Sequence, residues 1–293
     1  MEEEKRKFRS LSDLSLIDDY LFGLFIQEAG SEEILKGLLE RMLDIKIKHV
    51  ELKQPQHTIS NEPNFRSVRL DAFLEDDEHT LYNIEVQVVN KGNIPKRIRF
   101  NQSLIDREQM PSGEYDYSKL PKTIIVFVCD FDLFDKGLYR YTFKNICMED
   151  SSVELGDETV KVVLNTKGKD SRGVKPELIE LLRYFHSSNA DTVNDLSSPF
   201  IKKLDKMLEP IKNSPEFGGD FMSLDEKIYN EKKESEEIGR QIGRQIGRQE
   251  GRREGIQEGR QEGEQKERQR TIETMRSLGF SEEQINAIYS QRR

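Results

Sequence analysis

Apolar residues recur at helical spacing in two segments near the start of the chain. In Leu16–Phe25 they fall three or four residues apart, and Asp18 and Asp19 stand in the first turn, where carboxylates favour the helix dipole. A second apolar stripe runs over 34–43, and Ser31 precedes it as a candidate N-cap. The pattern therefore predicts two consecutive helices.

The next apolar runs predict a β-hairpin, a helix and a buried strand. Ser67–Leu74 and Thr80–Val89 have strand patterns and flank an acidic turn at 75–79. A helix is predicted over Ile94–Met110. Thr123–Cys129 is continuously apolar, as in a strand that is buried on both faces. These segments predict a sheet that is covered by helices.

Further strands and one further helix complete the pattern. The segments that predict them are Leu138–Ile146, a hairpin of Val153–Leu155 with Thr159–Leu164, and the helix Pro176–His186. The order is helices, strands, a crossover helix, strands and then helices. This order predicts an α/β fold with a mixed central β-sheet flanked by helices.

The amino-acid composition of residues 226–270 differs from that of the predicted α/β domain. Residues 226–270 contain 12 Lys/Arg and 11 Asp/Glu and few apolar side chains, so they cannot build a core. We therefore assign the α/β domain to residues 11–225. The whole chain has a formal net charge of −9, and residues 226–270 contribute +1, so the remaining 248 residues carry −10.

Glycine recurs at every fourth position within 226–270. The members of this glycine ladder are Gly239, Gly243, Gly247, Gly251, Gly255, Gly259 and Gly263. A period of four advances about 40° per step around an α-helix, so no straight helix face can use all of them. Each helical glycine also costs about 1 kcal/mol relative to alanine. We predict a marginal helix or a disordered linker, while a self-association helix and a basic nucleic-acid arm stay open as alternatives.

Residues 271–293 predict a short helical hairpin. Its helices are Thr271–Leu278 and Ser281–Tyr289, with Gly279 between them, and Ser281 and Gln284 fit a capping box. The segment is too short for a core of its own. We expect it to dock on a partner or on another copy of the chain, which makes a homo-oligomer through the C-terminal tail possible.

Several classes of protein are excluded by what the sequence lacks. Its mean hydropathy is −0.75, and no apolar window approaches the roughly 18 residues of a membrane-spanning helix. The first residues lack the apolar stretch of a secretory signal, so we expect a cytoplasmic protein without a membrane partner. Cys129 and Cys147 cannot by themselves form a metal cluster or a disulfide framework. No glycine-rich phosphate loop indicates a nucleotide cofactor.

Two carboxylates and an amide are predicted to share one face of the hairpin. Glu85 and Gln87 are two residues apart on one strand, and the turn places Asp71 opposite Glu85. Oxygen ligands of this kind suit Mg²⁺, which typically takes one or two carboxylates together with phosphate oxygens and water. The alternation of apolar and polar residues by itself also allows another interpretation, in which Glu85 and Gln87 line a solvent-exposed face of the strand.

The spacing from Asp71 to the Glu85-Val86-Gln87 run resembles the PD-(D/E)XK nuclease signature, and the surrounding segments resemble the Rpn family of recombination-promoting nucleases and putative transposases. The resemblance extends over roughly residues 11–150. Its segments, in order, are Asp-Asp-Tyr-Leu-Phe-Gly-Leu-Phe at 18–25, Leu-Asp-Ala at 70–72, Asn-Ile-Glu-Val-Gln at 83–87, Lys-Arg-Ile-Arg-Phe-Asn-Gln-Ser at 96–103 and the strand at 123–129. It implies a restriction-endonuclease-like core.

The resemblance also implies roles for individual residues. Asp71 and Glu85 would be catalytic metal ligands for Mg²⁺ or another divalent cation. Gln87 stands where the signature has lysine, and it would orient water or substrate because an amide carries no charge. Asp19 matches an early acidic position and would reach the metal, although a helix-start carboxylate explains it equally well. Leu70 replaces the signature proline, so the literal motif is incomplete.

A basic helix start follows the two strands. Lys96, Arg97, Arg99 and Gln102 form a candidate DNA-binding edge, because cationic side chains neutralise backbone phosphates. A solvated basic helix face is the alternative. The resulting hypothesis is a Mg²⁺-dependent DNA endonuclease that promotes recombination or DNA mobility. The second hypothesis is a catalytically silent nucleic-acid-binding or assembly protein with the same fold.

Overall fold

The computed structural model describes residues 9–55, 58–59 and 68–290. The chain divides into two compact units, Met1–Asp225 and Glu226–Arg293. None of the described helices is long and apolar enough to cross a membrane.

The strands are short and belong to the first unit. They are β1 (Val50–Pro55), β2 (Thr58–Ile59), β3 (Val68–Arg69), β4 (Ala72–Asp76), β5 (Leu81–Gln87), β6 (Thr123–Cys129), β7 (Arg140–Phe143) and β8 (Thr159–Asn165). The helices are α1 (Asp19–Ile26), α2 (Ser31–Leu43), α3 (Ile94–Gln109), α4 (Pro176–His186), α5 (Ala190–Asp195), α6 (Pro199–Lys212), α7 (Pro215–Ser277) and α8 (Glu282–Ser290).

Six strands form one mixed sheet in the order β1-β4-β5-β6-β8-β7. β4 and β5 are the predicted antiparallel hairpin, and β6 and β8 run parallel to β5 on its other side. β1 and β7 close the two edges in antiparallel orientation. The α/β prediction with a mixed central sheet flanked by helices is confirmed. Ser67, the predicted start of the hairpin, lies outside the described residues.

Side-chain alternation gives the sheet two buried faces. Ile84 and Val86 of β5 face a core to which α1, α2, α4 and α6 contribute. Leu81 of β5 and Phe127 of β6 face a second core, which α3 closes with Ile94, Ile98, Leu104 and Ile105. All residues of β6 are buried, as its continuous apolar sequence predicts. The helix α3 therefore lies over the face of β5 to which Glu85 belongs.

The predicted hairpin of Val153–Leu155 with Thr159–Leu164 is wrong. β8 is already paired on both sides, by β6 and by β7, so neither of its edges is free for another strand. Glu154 instead forms a single bridge with Ile146. The strand predicted at Leu138–Ile146 is also shorter in the structure, because only β7, Arg140–Phe143, pairs with β8.

The first two helices begin differently from the prediction. Leu16 and Ile17 are buried but precede α1, whose N-cap is Asp18. Ser31 is not the cap of α2, because Gly30 takes that position with a φ of 82°. The hydroxyl of Ser31 donates a hydrogen bond to the carbonyl of Ile26 instead. The left-handed backbone at residue 30 is one that glycine adopts without strain.

The second unit is helical and highly exposed. The glycine ladder lies within α7, and a Cβ on any of its seven glycines would have no described heavy atom within 4 Å. The predicted helix Thr271–Leu278 is not separate, because α7 continues to Ser277. The capping box before α8 is confirmed, since Ser281 and Gln284 exchange hydrogen bonds of 3.0 and 3.4 Å.

Candidate active site

Glu85 lies in the middle of the sheet and is fully buried, with 0% of its surface exposed. Its strand is paired on both sides, and α3 covers the face from which its side chain projects. The interpretation of this face as a solvent-exposed strand surface is therefore wrong. A buried carboxylate requires partners, because an unpaired charge in a low-dielectric interior costs several kcal/mol.

Asp71 faces Glu85 across the hairpin, as the sequence predicts. The ladder pairs Ala72 with Ile84, so the next facing positions are Asp71 and Glu85. At this point the carboxylate Oδ2 of Asp71 accepts a hydrogen bond of 3.2 Å from the amide of Val86. The side chain of Asp71 thus takes the place of a backbone acceptor beyond the end of β4 and is held beside the buried carboxylate.

Arg97 reaches the same place from the first turns of α3. Its Nη2 donates to Oε2 of Glu85 in a close ion pair, and its Nη1 donates to Oε1 of Gln87 at 2.8 Å. Its guanidinium carbon lies 5.4 Å from the centre of the Phe127 ring. Arg97 was predicted to belong to a DNA-binding edge. The structure places it against the candidate metal ligand Glu85 and against Gln87.

Two asparagines that the sequence analysis did not identify complete the surroundings of Glu85. The Nδ2 groups of Asn83 and Asn101 lie 3.3 and 3.4 Å from Oε1 of Glu85. Their Oδ1 atoms are buried and have no hydrogen-bond partner among the described residues. The available signal was spacing: Asn83 is two residues before Glu85 on a strand, and Asn101 is four residues after Arg97 on a helix.

The electrostatics favour a cation between the two carboxylates. Burial raises the pKa of Glu85, and the neighbouring Asp71 raises it further, while Arg97 and the Asn83 amide act in the opposite direction. A positive ion would offset both the burial and the mutual repulsion of the acids. Two carboxylates, an amide and unsatisfied amide oxygens form an all-oxygen donor set, which fits Mg²⁺ and does not fit a soft metal.

The other predicted site residues are dispersed. Lys96 and Arg99 are both exposed near the start of α3, and Arg99 also lines a cavity. Gln102 does not join an exposed edge, because only 7% of its surface is accessible and its Nε2 donates to Asp106 at 2.8 Å. Spacing alone did not reveal this difference, since it depends on how α3 is rotated over the sheet.

Asp19 is not grouped with the carboxylate pair. It is exposed at the start of α1, a helix of the opposite layer, and its Oδ1 accepts from the amide of Tyr20. Within the described ranges, no three acidic, histidine or cysteine side chains are close enough together to hold a metal. A ligand role for Asp19 stays a prediction.

Comparison with known families agrees with the fold. A helix-flanked mixed sheet with an acidic pair on adjacent central strands is an arrangement that nucleases of the PD-(D/E)XK class use. The model of the PD-(D/E)XK nuclease family transposases matches residues 16–216, and the chain belongs to that family. The match supports the resemblance to Rpn proteins. Searches of curated proteins and of solved structures found no match.

Proposed function

We propose that the protein is a metal-dependent DNA endonuclease whose active centre is formed by Asp71 and Glu85. The observation that supports this proposal is the pairing of two carboxylates on adjacent strands, one of them fully buried, in a chain of a nuclease family. Even with Arg97 as its partner, a buried acid adds little to stability compared with apolar side chains of the same volume.

The residues that would hold Mg²⁺ are Asp71 and Glu85. When bound, the ion would polarise a phosphodiester and supply a more acidic water as the nucleophile. Gln87 would orient water or a phosphate oxygen through its amide. Its Oε1 already accepts from Arg97, so its Nε2, which now donates to the Val89 carbonyl, is the group available for this role.

Arg97 would supply the positive charge that Gln87 lacks. A guanidinium beside the reacting phosphate stabilises the negative charge that develops during cleavage. Arg97 is anchored on a helix, stacked near Phe127, and about a third of its side chain is exposed, so it remains accessible to substrate. It also opposes the rise in the pKa of Glu85 that burial and the neighbouring Asp71 cause.

The direct test is plasmid cleavage with Mg²⁺ by the full chain and by Asp71→Asn and Glu85→Gln variants. We expect nicks from the wild type and a loss of at least about 100-fold in each variant. Asp77→Asn is the matched control, because Asp77 is an exposed acid in the turn of the same hairpin. Equal cleavage by all four proteins would exclude the site. Joined products instead of simple nicks would identify strand transfer.

DNA contact would extend along the exposed part of α3. Lys96 and Arg99 are exposed cations near its start, and both would contact backbone phosphates. Removing one cation that neutralises a phosphate should make the plot of log affinity against log salt shallower by about 0.9. We expect Lys96→Ala to show this change with little dependence on DNA sequence. An unchanged slope would remove Lys96 from the interface.

The second candidate function is a catalytically silent DNA-binding or assembly protein. The ion pair between Arg97 and Glu85 favours it, because this pair neutralises the buried acid without any metal. Such a protein would bind DNA equally well in EDTA and in Mg²⁺ and would leave every DNA substrate intact.

A further inference from the structure

One apolar side chain of α3 does not face the core. The side chains of α3 that are buried against the sheet are Ile94, Ile98, Leu104 and Ile105. Phe100 belongs to the same helix, yet 39% of its surface is exposed. Burial in the core thus accounts for the other large apolar residues of the helix, but it does not account for this aromatic ring.

Phe100 is a neighbour of Arg97 on the surface of α3. It follows Arg97 by three positions and Lys96 by four. Residues at these spacings on a helix are adjacent, with Cβ atoms about 5–6 Å apart. Arg97 in turn forms the ion pair with Glu85. The exposed ring therefore lies next to the cation of the candidate active site, within reach of a DNA strand that is bound there.

The stretch of chain around Phe100 carries only positive charge. Residues 86–105 contain no acid, and their four cations are Lys91, Lys96, Arg97 and Arg99. The next acid on α3 is Asp106, six residues beyond Phe100 and so about 9 Å further along the helix axis. Glu85, which precedes the stretch, is paired with Arg97. In a chain with a net charge of −9, this local excess of cations favours a polyanionic ligand.

An exposed aromatic ring among cations suits an unpaired nucleic-acid base. Bases stack on aromatic side chains, and the cations beside them neutralise the backbone phosphates. Inside a duplex the faces of the bases are stacked on one another, so a protein reaches only their edges in the grooves. The ring of Phe100 can therefore stack only on a base that is unpaired, as in a single strand, a bulge or a frayed end.

We propose that Phe100 stacks on an unpaired base of the DNA strand that lies at Asp71 and Glu85, so that locally unpaired DNA is the preferred substrate. Lys96 and Arg99 would contact the phosphates next to that base. The proposal rests on the proposed function for the identity of the substrate, DNA. It concerns binding alone, so it holds equally for a protein that binds DNA without cleaving it.

The test is fluorescence anisotropy of the full chain in EDTA with two matched pairs of labelled DNA probes. The first pair is a fully paired duplex and the same duplex with one bulged nucleotide. The second pair is a single strand and an abasic strand of the same length, which keeps the phosphates but has no bases. We expect the bulged duplex to bind about tenfold more tightly than the paired duplex, and the single strand about tenfold more tightly than the abasic strand.

Three variants assign these preferences to the aromatic ring. Phe100→Leu should remove both preferences, because leucine keeps an apolar side chain but has no ring face. Phe100→Tyr should retain both, since the ring is kept, and this retention separates stacking from a general effect of substitution at residue 100. Phe280→Leu is the matched control, because Phe280 is 44% exposed and belongs to the second unit.

The outcomes for this proposal and for the proposed function are distinguishable. Equal binding within each probe pair, retained preferences in Phe100→Leu, or an equal loss in Phe280→Leu would overturn the stacking proposal. Plasmid cleavage that depends on Asp71 would still support the nuclease in each of these cases. Conversely, a preference for unpaired bases that Phe100→Leu removes would support stacking even if no DNA is cleaved.

Discussion

The guanidinium of Arg97 donates a hydrogen bond of 2.8 Å to Oε1 of Gln87, the residue at the position of the signature lysine. The amide that replaces the lysine is thus bonded directly to a cation from the next helix. The same guanidinium forms an ion pair with Glu85. A positive charge is therefore present at the site although the strand itself does not provide one.

Replacement of Arg97 should reduce turnover more than DNA affinity. We expect Arg97→Gln to lower kcat at least about 100-fold, because the charge opposite the reacting phosphate is lost. Arg97→Lys should retain part of the activity, since lysine keeps the charge but not the two-point contact. Arg107→Ala on the same helix serves as control. Steady-state cleavage kinetics and DNA binding would separate the two effects, and a pure change in KM would contradict the assignment.

Mg²⁺ should stabilise the folded protein even without DNA. A ligand that binds only the folded state at 100 times its Kd adds about 2.7 kcal/mol to the free energy of unfolding. We expect thermal unfolding of the wild type to shift upward with Mg²⁺. The shift should disappear in a variant with both Asp71→Asn and Glu85→Gln. Persistence of the shift in that variant would locate the metal elsewhere, whereas Asp77→Asn should behave as the wild type.

Asp130 should contribute to acid sensitivity. Burial alone would raise the pKa of its carboxyl, but hydrogen bonds from Thr166, His186 and Lys167 outweigh burial and hold the pKa below its usual value. The folded pKa is thus lower than the unfolded one, so the stabilisation is present above about pH 4 and is lost as the pH falls through the folded pKa.

Asp130→Asn should therefore lower the free energy of unfolding at pH 7 by about 1 kcal/mol. The difference from the wild type should shrink as the pH is reduced below about 4. Urea denaturation at several pH values measures both effects. A constant difference across that range would show that the carboxylate charge is not responsible.

The glycine ladder should limit the stability of α7. Because space around each glycine is open, the combined Gly247→Ala, Gly251→Ala and Gly255→Ala variant should gain helix content, by about 1 kcal/mol per position. Circular dichroism during heating measures this gain. If sedimentation shows that the variant dissociates from a wild-type oligomer, the glycines instead lie at an interface where two backbones approach closely.

The sequence was sufficient to predict the facing positions of Asp71 and Glu85, because a short acidic turn and the two-residue period of a strand determine the register of a hairpin. The sequence was not sufficient to predict that Arg97 contacts Glu85. Helical periodicity gives the spacing of side chains on α3, but the rotation of the helix over the sheet comes from packing against β6 and β8. The same rotation buries Gln102, which the linear pattern places beside Lys96.

Strand pairing shows the same limit. The segment Val153–Leu155 has a strand pattern, yet local pattern does not reveal that both edges of β8 are already occupied. The N-cap of α2 differs from the predicted one for a local reason. Gly30 and Ser31 compete for one capping position, and the left-handed backbone there favours glycine.

In the described parts of the chain, Asp71 and the side chains that hydrogen-bond or ion-pair with Glu85 come from one uninterrupted stretch, from Asp71 to Asn101. This stretch is a hairpin followed by the first turns of a helix, and the helical layer on the opposite face contributes no ligand to it. Breaks, insertions or circular permutation in the loops between α4, α5 and α6 would therefore leave the proposed catalytic groups on a single covalent segment. The proposed active centre is therefore contained in a single segment, and the rest of the domain supports it.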